Sequence, residues 1–103
     1  MVCSRYHNES PAMYFLAMFN KKYIEKINGW DEEFLHGYAF EDCDFGARWV
    51  RAGLSFEFRD DIQANHQYHP RKETIPGGYN INKLRYYKNN AMGVIRCKNG
   101  LVK

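Results

Sequence analysis

The residues with the clearest chemical potential lie in segment 37–45, where Glu41, Asp42 and Asp44 place three carboxylates within four residues. Carboxylates grouped this closely repel one another, so their proximity needs a physical reason. A helix N-terminus favours them through the helix dipole. Carboxylates also accept protons from hydroxyl groups and bind metal ions. Three interpretations of this segment follow: a helix start, a proton-transfer site or a metal site.

The residues just before the carboxylates favour a sugar-binding function. Gly37 permits a tight bend, and Tyr38 and Phe40 would line it with aromatic rings. A sugar ring is commonly held with its C–H face against such a ring and its hydroxyls bonded to carboxylates. The alternative is a charged helix start, in which each carboxylate stabilises the helix by about 0.3–1 kcal/mol.

Two histidines, His66 and His69, follow three residues apart near the end of a predicted strand. No cysteine pair accompanies them, so the pattern is not that of a zinc finger. We expect His69 to be structural. Imidazole combined with carboxylates suits Mn²⁺ or a similar divalent ion, which makes His66 a candidate metal ligand.

Two elements are predicted upstream of the carboxylates. The apolar run at 13–19 indicates a strand buried on both faces, which normally belongs to a sheet larger than this chain offers. A short helix is predicted at 21–27, with Asn20 as its N-cap. Gly29 suits the left-handed position after that helix.

The carboxylates themselves open a helix predicted at 41–52 and ended by Gly53. Asp44 and Arg48 have the spacing of an i, i+4 ion pair, worth about 0.2–0.5 kcal/mol. Cys43, between the acidic residues, is expected to face the core. The apolar stripe of the helix consists of Phe45, Trp49 and Ala52.

The second half of the chain is predicted to contain less regular structure. Its elements are strands at 54–58 and 62–66, a loop at 69–79, a basic helix at 80–92 and a hairpin at 95–102. The apolar side of the basic helix would comprise Leu84, Tyr87 and Ala91.

Composition restricts the class of protein. The 103 residues form one domain or part of one, and 45% hydrophobic residues indicate a packed core. Residues 1–78 carry nine Lys and Arg against twelve Asp and Glu, whereas residues 79–103 carry six basic residues and no acidic one. Three widely spaced cysteines predict reduced thiols. No apolar run approaches the ~20 residues of a membrane span, so we expect a cytoplasmic protein, alternatively peripheral at a membrane.

The run from Tyr14 to His69 resembles the C-terminal half of a GT-A fold glycosyltransferase, of the family 2 type and similar to the galactosyltransferase C-terminal domain. The matching pieces are an apolar strand, the sequence Ile-Asn-Gly-Trp-Asp-Glu at 27–32, similar to "GGFDE", and segment 37–45, similar to "GYGxEDxDL". The resemblance implies an α/β fold, a partial GT-A domain with a short mixed sheet and flanking helices. Residues 12–69 would form the glycosyltransferase half, and residues 70–103 a loop and a basic helical tail.

The same resemblance implies a role for each site residue. Asp42 would be the base that deprotonates the acceptor hydroxyl for inverting attack. Glu41, Tyr38, Phe40, Trp30 and Asp31 would bind the acceptor. His66 would bind Mn²⁺ or another divalent metal, and Lys83 and Arg85 would approach the phosphates of the nucleotide-sugar donor.

This chain departs from the family pattern in one large respect. No DXD motif precedes residue 31, and no nucleotide-binding half is recognisable. We therefore expect a missing N-terminal half or a partner chain, with little transferase activity from the chain alone. The alternatives are a non-catalytic carbohydrate-binding or assembly module and, less favoured by the acidic centre, nucleic-acid binding through residues 83–88.

Overall fold

The computed structural model of the chain describes residues 1–4, 13–59, 61–62, 70 and 74–103. Its elements in order are β1 (Val2–Ser4), β2 (Met13–Met18), α1 (Lys21–Ile27), a 3₁₀ helix (Glu32–His36), α2 (Glu41–Arg51), β3 (Glu57–Phe58) and α3 (Gly78–Ala91). The strands form a mixed sheet in the order β2-β1-β3, in which β1 is antiparallel to β2 and parallel to β3. The predicted combination of a short mixed sheet and several helices is therefore present.

The local signals around α1 and α2 are confirmed. The side chain of Asn20 accepts a hydrogen bond from the backbone N–H of Lys22 at 3.0 Å, which caps α1. The left-handed position after α1 begins one residue earlier than predicted, because Asn28 (φ 65°) adopts it as well as Gly29 (φ 71°). Asparagine tolerates this conformation better than other non-glycine residues do.

The core is small and aromatic. Ile27, Phe45 and Trp49 are at most 1% exposed and form its centre, as the apolar stripe of α2 predicts. Half-buried apolar residues close around them: Met1, Phe19, Ala52, Leu54 and Phe56.

A buried ion pair connects the three α-helices. The Asp44 and Arg48 side chains are both 0% exposed, and Arg48 Nε donates to Asp44 Oδ2 at 2.7 Å. The other Arg48 nitrogens donate to the carbonyls of Ile27 and Gly29, at 2.7 and 2.8 Å, at the end of α1. From α3, Asn89 Nδ2 donates to Asp44 Oδ1 at 3.0 Å. The spacing predicted the pair correctly, and the structure adds that both side chains are fully buried.

Two strand predictions require correction. In β2, Met18 is 68% exposed and Leu16 and Ala17 are half-buried, so these positions are not buried on both faces. The strand expected at 54–58 is limited to the two residues of β3. The predicted strand at 62–66 lies mostly outside the described residues.

The predicted hairpin at 95–102 is absent, because this segment bonds to Asn28 instead of to itself. Asn28 Nδ2 donates to the carbonyls of Cys97 and Val102 at 2.9 and 2.7 Å, and Asn28 Oδ1 accepts from the Val102 N–H at 2.8 Å. A side chain at Gly100 would collide with the Asn28 carbonyl oxygen, since a Cβ there would lie 1.7 Å from it. One buried asparagine thus replaces the cross-strand ladder.

The packing of α3 also differs from the prediction. Leu84 and Tyr87 are 69% and 55% exposed, and Ala91 is exposed as well. The helix packs through Asn82, which is fully buried, and through the rings of Tyr79 and Tyr86, which contact Phe40. Its neighbours offer backbone carbonyls and the Asp44 carboxylate as acceptors, so amide groups stabilise this contact better than apolar side chains would.

We predict that Arg48→Met lowers the free energy of unfolding by about 3–5 kcal/mol, because it leaves the Asp44 carboxylate buried without its cation. Urea unfolding followed by circular dichroism measures the loss. The matched control is Lys21→Met, which removes an exposed i, i+4 pair with Glu25 and should change stability by less than about 0.5 kcal/mol. Similar small losses in both variants would contradict the central role of Arg48.

Candidate functional site

The principal cleft of the described chain has a volume of about 890 Å³ and is bounded by the 3₁₀ helix, the segment before α2 and the first turn of α2. All six residues predicted for the catalytic base and the acceptor line it: Trp30, Asp31, Tyr38, Phe40, Glu41 and Asp42. The remaining lining residues are Glu32, Phe34, Leu35, Gly37, Ala39, Cys43, Thr74 and Ile75. Two separate stretches of the sequence, within 30–43 and at 74–75, therefore meet in one concave surface.

The Asp42 carboxylate is oriented by Trp30. Trp30 Nε1 donates to Asp42 Oδ1 at 3.3 Å, and the indole is stacked on the buried Phe45 ring at a centroid distance of 4.0 Å. The Phe19 and Trp30 rings form a T-shaped pair, with 5.8 Å between their centroids. Since its neighbours belong to the core, Trp30 gives the cleft a rigid aromatic wall next to a half-buried carboxylate.

The segment between the 3₁₀ helix and α2 has an unusual backbone. Ala39 and Phe40 have φ angles of 64° and 71°, in the left-handed region. For a residue other than glycine, this conformation costs roughly 1–2 kcal/mol of conformational free energy. The Phe40 ring packs against Tyr79 and Tyr86 of α3, at 5.0 and 5.7 Å between centroids. The Phe40 ring therefore lines the cleft and is held in place by α3.

Asp31 and Glu41 contribute differently to the cleft. Asp31 is only 9% exposed, and its Oδ1 accepts from the Glu33 N–H at 3.0 Å, which caps the 3₁₀ helix. Glu41 is exposed in the first turn of α2. Of these two carboxylates, Glu41 is therefore the more accessible to a ligand bound next to Asp42.

The acidic cluster divides between the cleft and the core. Asp42 lines the cleft, whereas Asp44 lies in the buried ion pair. Cys43 is exposed at the cleft edge, so the expectation that it faces the core was wrong. Partial burial raises the pKa of the Cys43 thiol, and the negative charges of Asp42 and Glu41 raise that pKa further.

The basic residues predicted to approach a phosphate, Lys83 and Arg85, are not among the residues that line the cleft. Arg85 Nη1 donates to the Glu33 carbonyl at 2.8 Å and to Asn82 Oδ1 at 3.0 Å, and its guanidinium lies 5.8 Å from the centre of the Phe34 ring. In this structure Arg85 therefore joins α3 to the 3₁₀ helix. A role for Lys83 or Arg85 toward a phosphate stays a prediction.

The predicted metal ligand, His66, lies outside the described residues. Across the ranges that the structure describes, no group of three or more His, Cys, Asp and Glu side chains could hold a metal ion. The described part of the cleft therefore does not by itself form a metal site. In the same ranges no helix has the length and hydrophobicity needed to cross a membrane.

The chain matches a known family over most of its length. Residues 3–73 match the family described as the N-terminal domain of galactosyltransferase. The chain belongs to this family. The match includes every cleft-lining residue except Thr74 and Ile75, and it ends before α3 begins. The description names an N-terminal domain, so the assignment to a C-terminal half stays a prediction.

Two curated relatives match part of the chain. The chain is 42% identical over 69 residues to a hyaluronan synthase of Pasteurella multocida, covering 64% of this chain and 7% of the relative. It is 42% identical over 50 residues to an uncharacterized glycosyltransferase, YfnE, of Bacillus subtilis (strain 168), covering 48% of this chain and 12% of the relative. The chain thus spans a small part of the length of these relatives. No solved structure matches it.

We predict that Cys43 reacts slowly with iodoacetamide at neutral pH, because its raised pKa leaves little thiolate, the reactive form. Asp42→Asn removes one of the charges that raise this pKa, so the pH midpoint of alkylation should move down. Peptide mass spectrometry at a series of pH values measures the midpoint. Asp61→Asn is a control that should not move it, and an unchanged midpoint in Asp42→Asn would contradict the proximity of the two groups.

Proposed function

We propose that this chain is the acceptor-binding and catalytic-base half of an inverting glycosyltransferase of GT-A, family 2 type. The observation that carries the proposal is the cleft itself, which places Asp42 and Glu41 beside the aromatic walls formed by Trp30, Tyr38 and Phe40. Membership of the galactosyltransferase family and the glycosyltransferase relatives support transfer of a sugar as the reaction.

Asp42 would act as the general base. An acceptor hydroxyl is a weak nucleophile, so its proton must leave as the new bond forms. The hydroxyl oxygen attacks the anomeric carbon of a nucleotide-sugar, the bond from that carbon to the nucleoside diphosphate breaks, and the proton passes to the Asp42 carboxylate. The hydrogen bond from Trp30 Nε1 to Asp42 Oδ1 would fix the orientation of the carboxylate. An oriented base accelerates proton transfer more than a freely rotating one does.

The other cleft residues would position the acceptor. The Trp30 indole, 37% exposed and backed by Phe45, offers a flat apolar surface to a sugar ring. Tyr38 and Phe40 line the same cleft, and Glu41 would accept a hydrogen bond from a second hydroxyl. The contribution of Asp31 would be mainly to fix the 3₁₀ helix, because its capping bond occupies one carboxylate oxygen.

The donor site would require more than the described residues. We propose that Mn²⁺ or another divalent ion binds through His66 together with ligands from a further domain or partner chain, where it would neutralise charge on the leaving diphosphate. The step assigned to Asp42 does not pass through that ion. Lys83 and Arg85 would contact the donor phosphates only if α3 meets the donor-binding half. We propose that the protein is located in the cytoplasm.

We predict that Asp42→Asn lowers kcat by at least a hundredfold in the transferase that contains this chain, with little change in donor affinity, because only proton transfer is lost. Radiolabelled sugar transfer measures the rate. Glu41→Gln should mainly raise KM for the acceptor.

The control for both variants is Asp61→Asn, which changes an exposed carboxylate paired with Arg59 and should leave transfer intact. Near-normal kcat in Asp42→Asn would exclude Asp42 as the base. A variant that loses donor binding instead would point to a structural role.

A second candidate function is a non-catalytic carbohydrate-binding or assembly module. It is favoured by the residues that line the cleft, since aromatic rings and carboxylates suffice to bind a saccharide without a donor. Calorimetry of the chain with a UDP-sugar and Mn²⁺ separates the two functions. Tight donor binding would argue against a binding module, whereas saccharide binding alone would favour it.

A further inference from the structure

The start of α3 is bonded directly to the segment that lines the cleft. The Tyr38 N–H donates to the Gly78 carbonyl at 3.0 Å. Asn82 Nδ2 donates to the carbonyls of Phe34 and Ala39, at 2.9 and 2.7 Å. These bonds join both ends of the bend between the 3₁₀ helix and α2 to a single helix.

Asn82 is fully used by these contacts. Its side chain is 0% exposed, and its Oδ1 accepts from Arg85 Nη1 at 3.0 Å while its amide nitrogen serves the two carbonyls. A Cβ at Gly37 would lie 2.3 Å from Asn82 Oδ1 and 2.7 Å from the Gly78 carbonyl oxygen. The absence of a side chain at Gly37 is therefore what lets the cleft segment approach the Asn82 amide.

The segment held in this way is the strained one. Ala39 and Phe40 have left-handed backbone angles, a conformation that persists only where the surroundings fix it. Asn82 binds the Ala39 carbonyl, and the Phe40 ring lies against Tyr79 and Tyr86 of the same helix. The conformation of the cleft wall thus depends on α3, which lies beyond the region of the family match.

We propose that Asn82 is a positioning residue for the cleft, whose amide sets the conformation of residues 37–40 and thereby the placement of Tyr38 and Phe40. The inference rests on the proposed function only in treating the cleft as a saccharide site. A merely structural Asn82 would affect the whole chain equally, whereas a positioning residue affects residues 37–40 first.

The test compares Asn82→Ala with Asn80→Ala, a matched change at an exposed position of the same helix. NMR-detected hydrogen exchange reports the opening of the Tyr38 amide, with the α2 amides of Phe45 and Trp49 as the measure of global opening. Affinities for two neutral disaccharides, cellobiose and N,N′-diacetylchitobiose, are measured on the same samples.

We expect Asn82→Ala to accelerate Tyr38 exchange at least tenfold more than α2 exchange and to weaken disaccharide binding at least tenfold, with neither effect in Asn80→Ala. Unchanged Tyr38 exchange, or equal acceleration at Tyr38 and in α2, would overturn the inference. If Asn82→Ala does not fold, Gly37→Ala disturbs the same contact from the cleft side, and the same two outcomes decide.

The disaccharide measurement separates this inference from the proposed function. If the unmodified chain binds neither disaccharide, the acceptor-binding proposal is contradicted for these sugars, and Tyr38 exchange still decides the role of Asn82. If the unmodified chain binds and Asn82→Ala binds equally well, the positioning role fails while the acceptor-binding proposal stands.

Discussion

The structure depends on one buried guanidinium. Arg48 binds Asp44 within α2 and two carbonyls at the end of α1, and Asn89 of α3 completes the hydrogen bonding of the carboxylate. Among the described residues the core is centred on three side chains, which provide little apolar burial to hold the helices together. A fully hydrogen-bonded ion pair fixes their relative positions, although its net contribution to stability is limited by the desolvation of both charges.

This pair also explains how adjacent acidic residues acquire different functions. Residues two apart on a helix point in nearly opposite directions, so Asp44 in the core requires Asp42 to face outward. The outward side is the cleft, where Trp30 binds Asp42 while resting on Phe45, one residue after Asp44. The acidic cluster at the start of α2 thus consists of one structural carboxylate, Asp44, and two carboxylates that line the cleft, Glu41 and Asp42.

Local signals predicted much of the fold around α1 and α2, whereas the family resemblance named the residues that line the cleft. The cap at Asn20 and the apolar stripe of α2 were sufficient because they act between near neighbours. Sequence reasoning failed where polar groups pack at long range. The hairpin expected at 95–102 is replaced by bonds to Asn28. The polar side of α3 packs inward, and the recurrence of asparagine at Asn82 and Asn89, seven residues apart, was the available signal.

The most direct test of this account is a ¹H–¹⁵N NMR titration of the chain with neutral saccharides, which locates a bound sugar without requiring transfer. We predict shifts of the Trp30 indole N–H and of the backbone amides of residues 37–42, with little change in the buried amides of Phe45 and Trp49. Saccharide-induced shifts confined to another surface, or none at millimolar concentrations, would contradict the assignment of this cleft as the acceptor site.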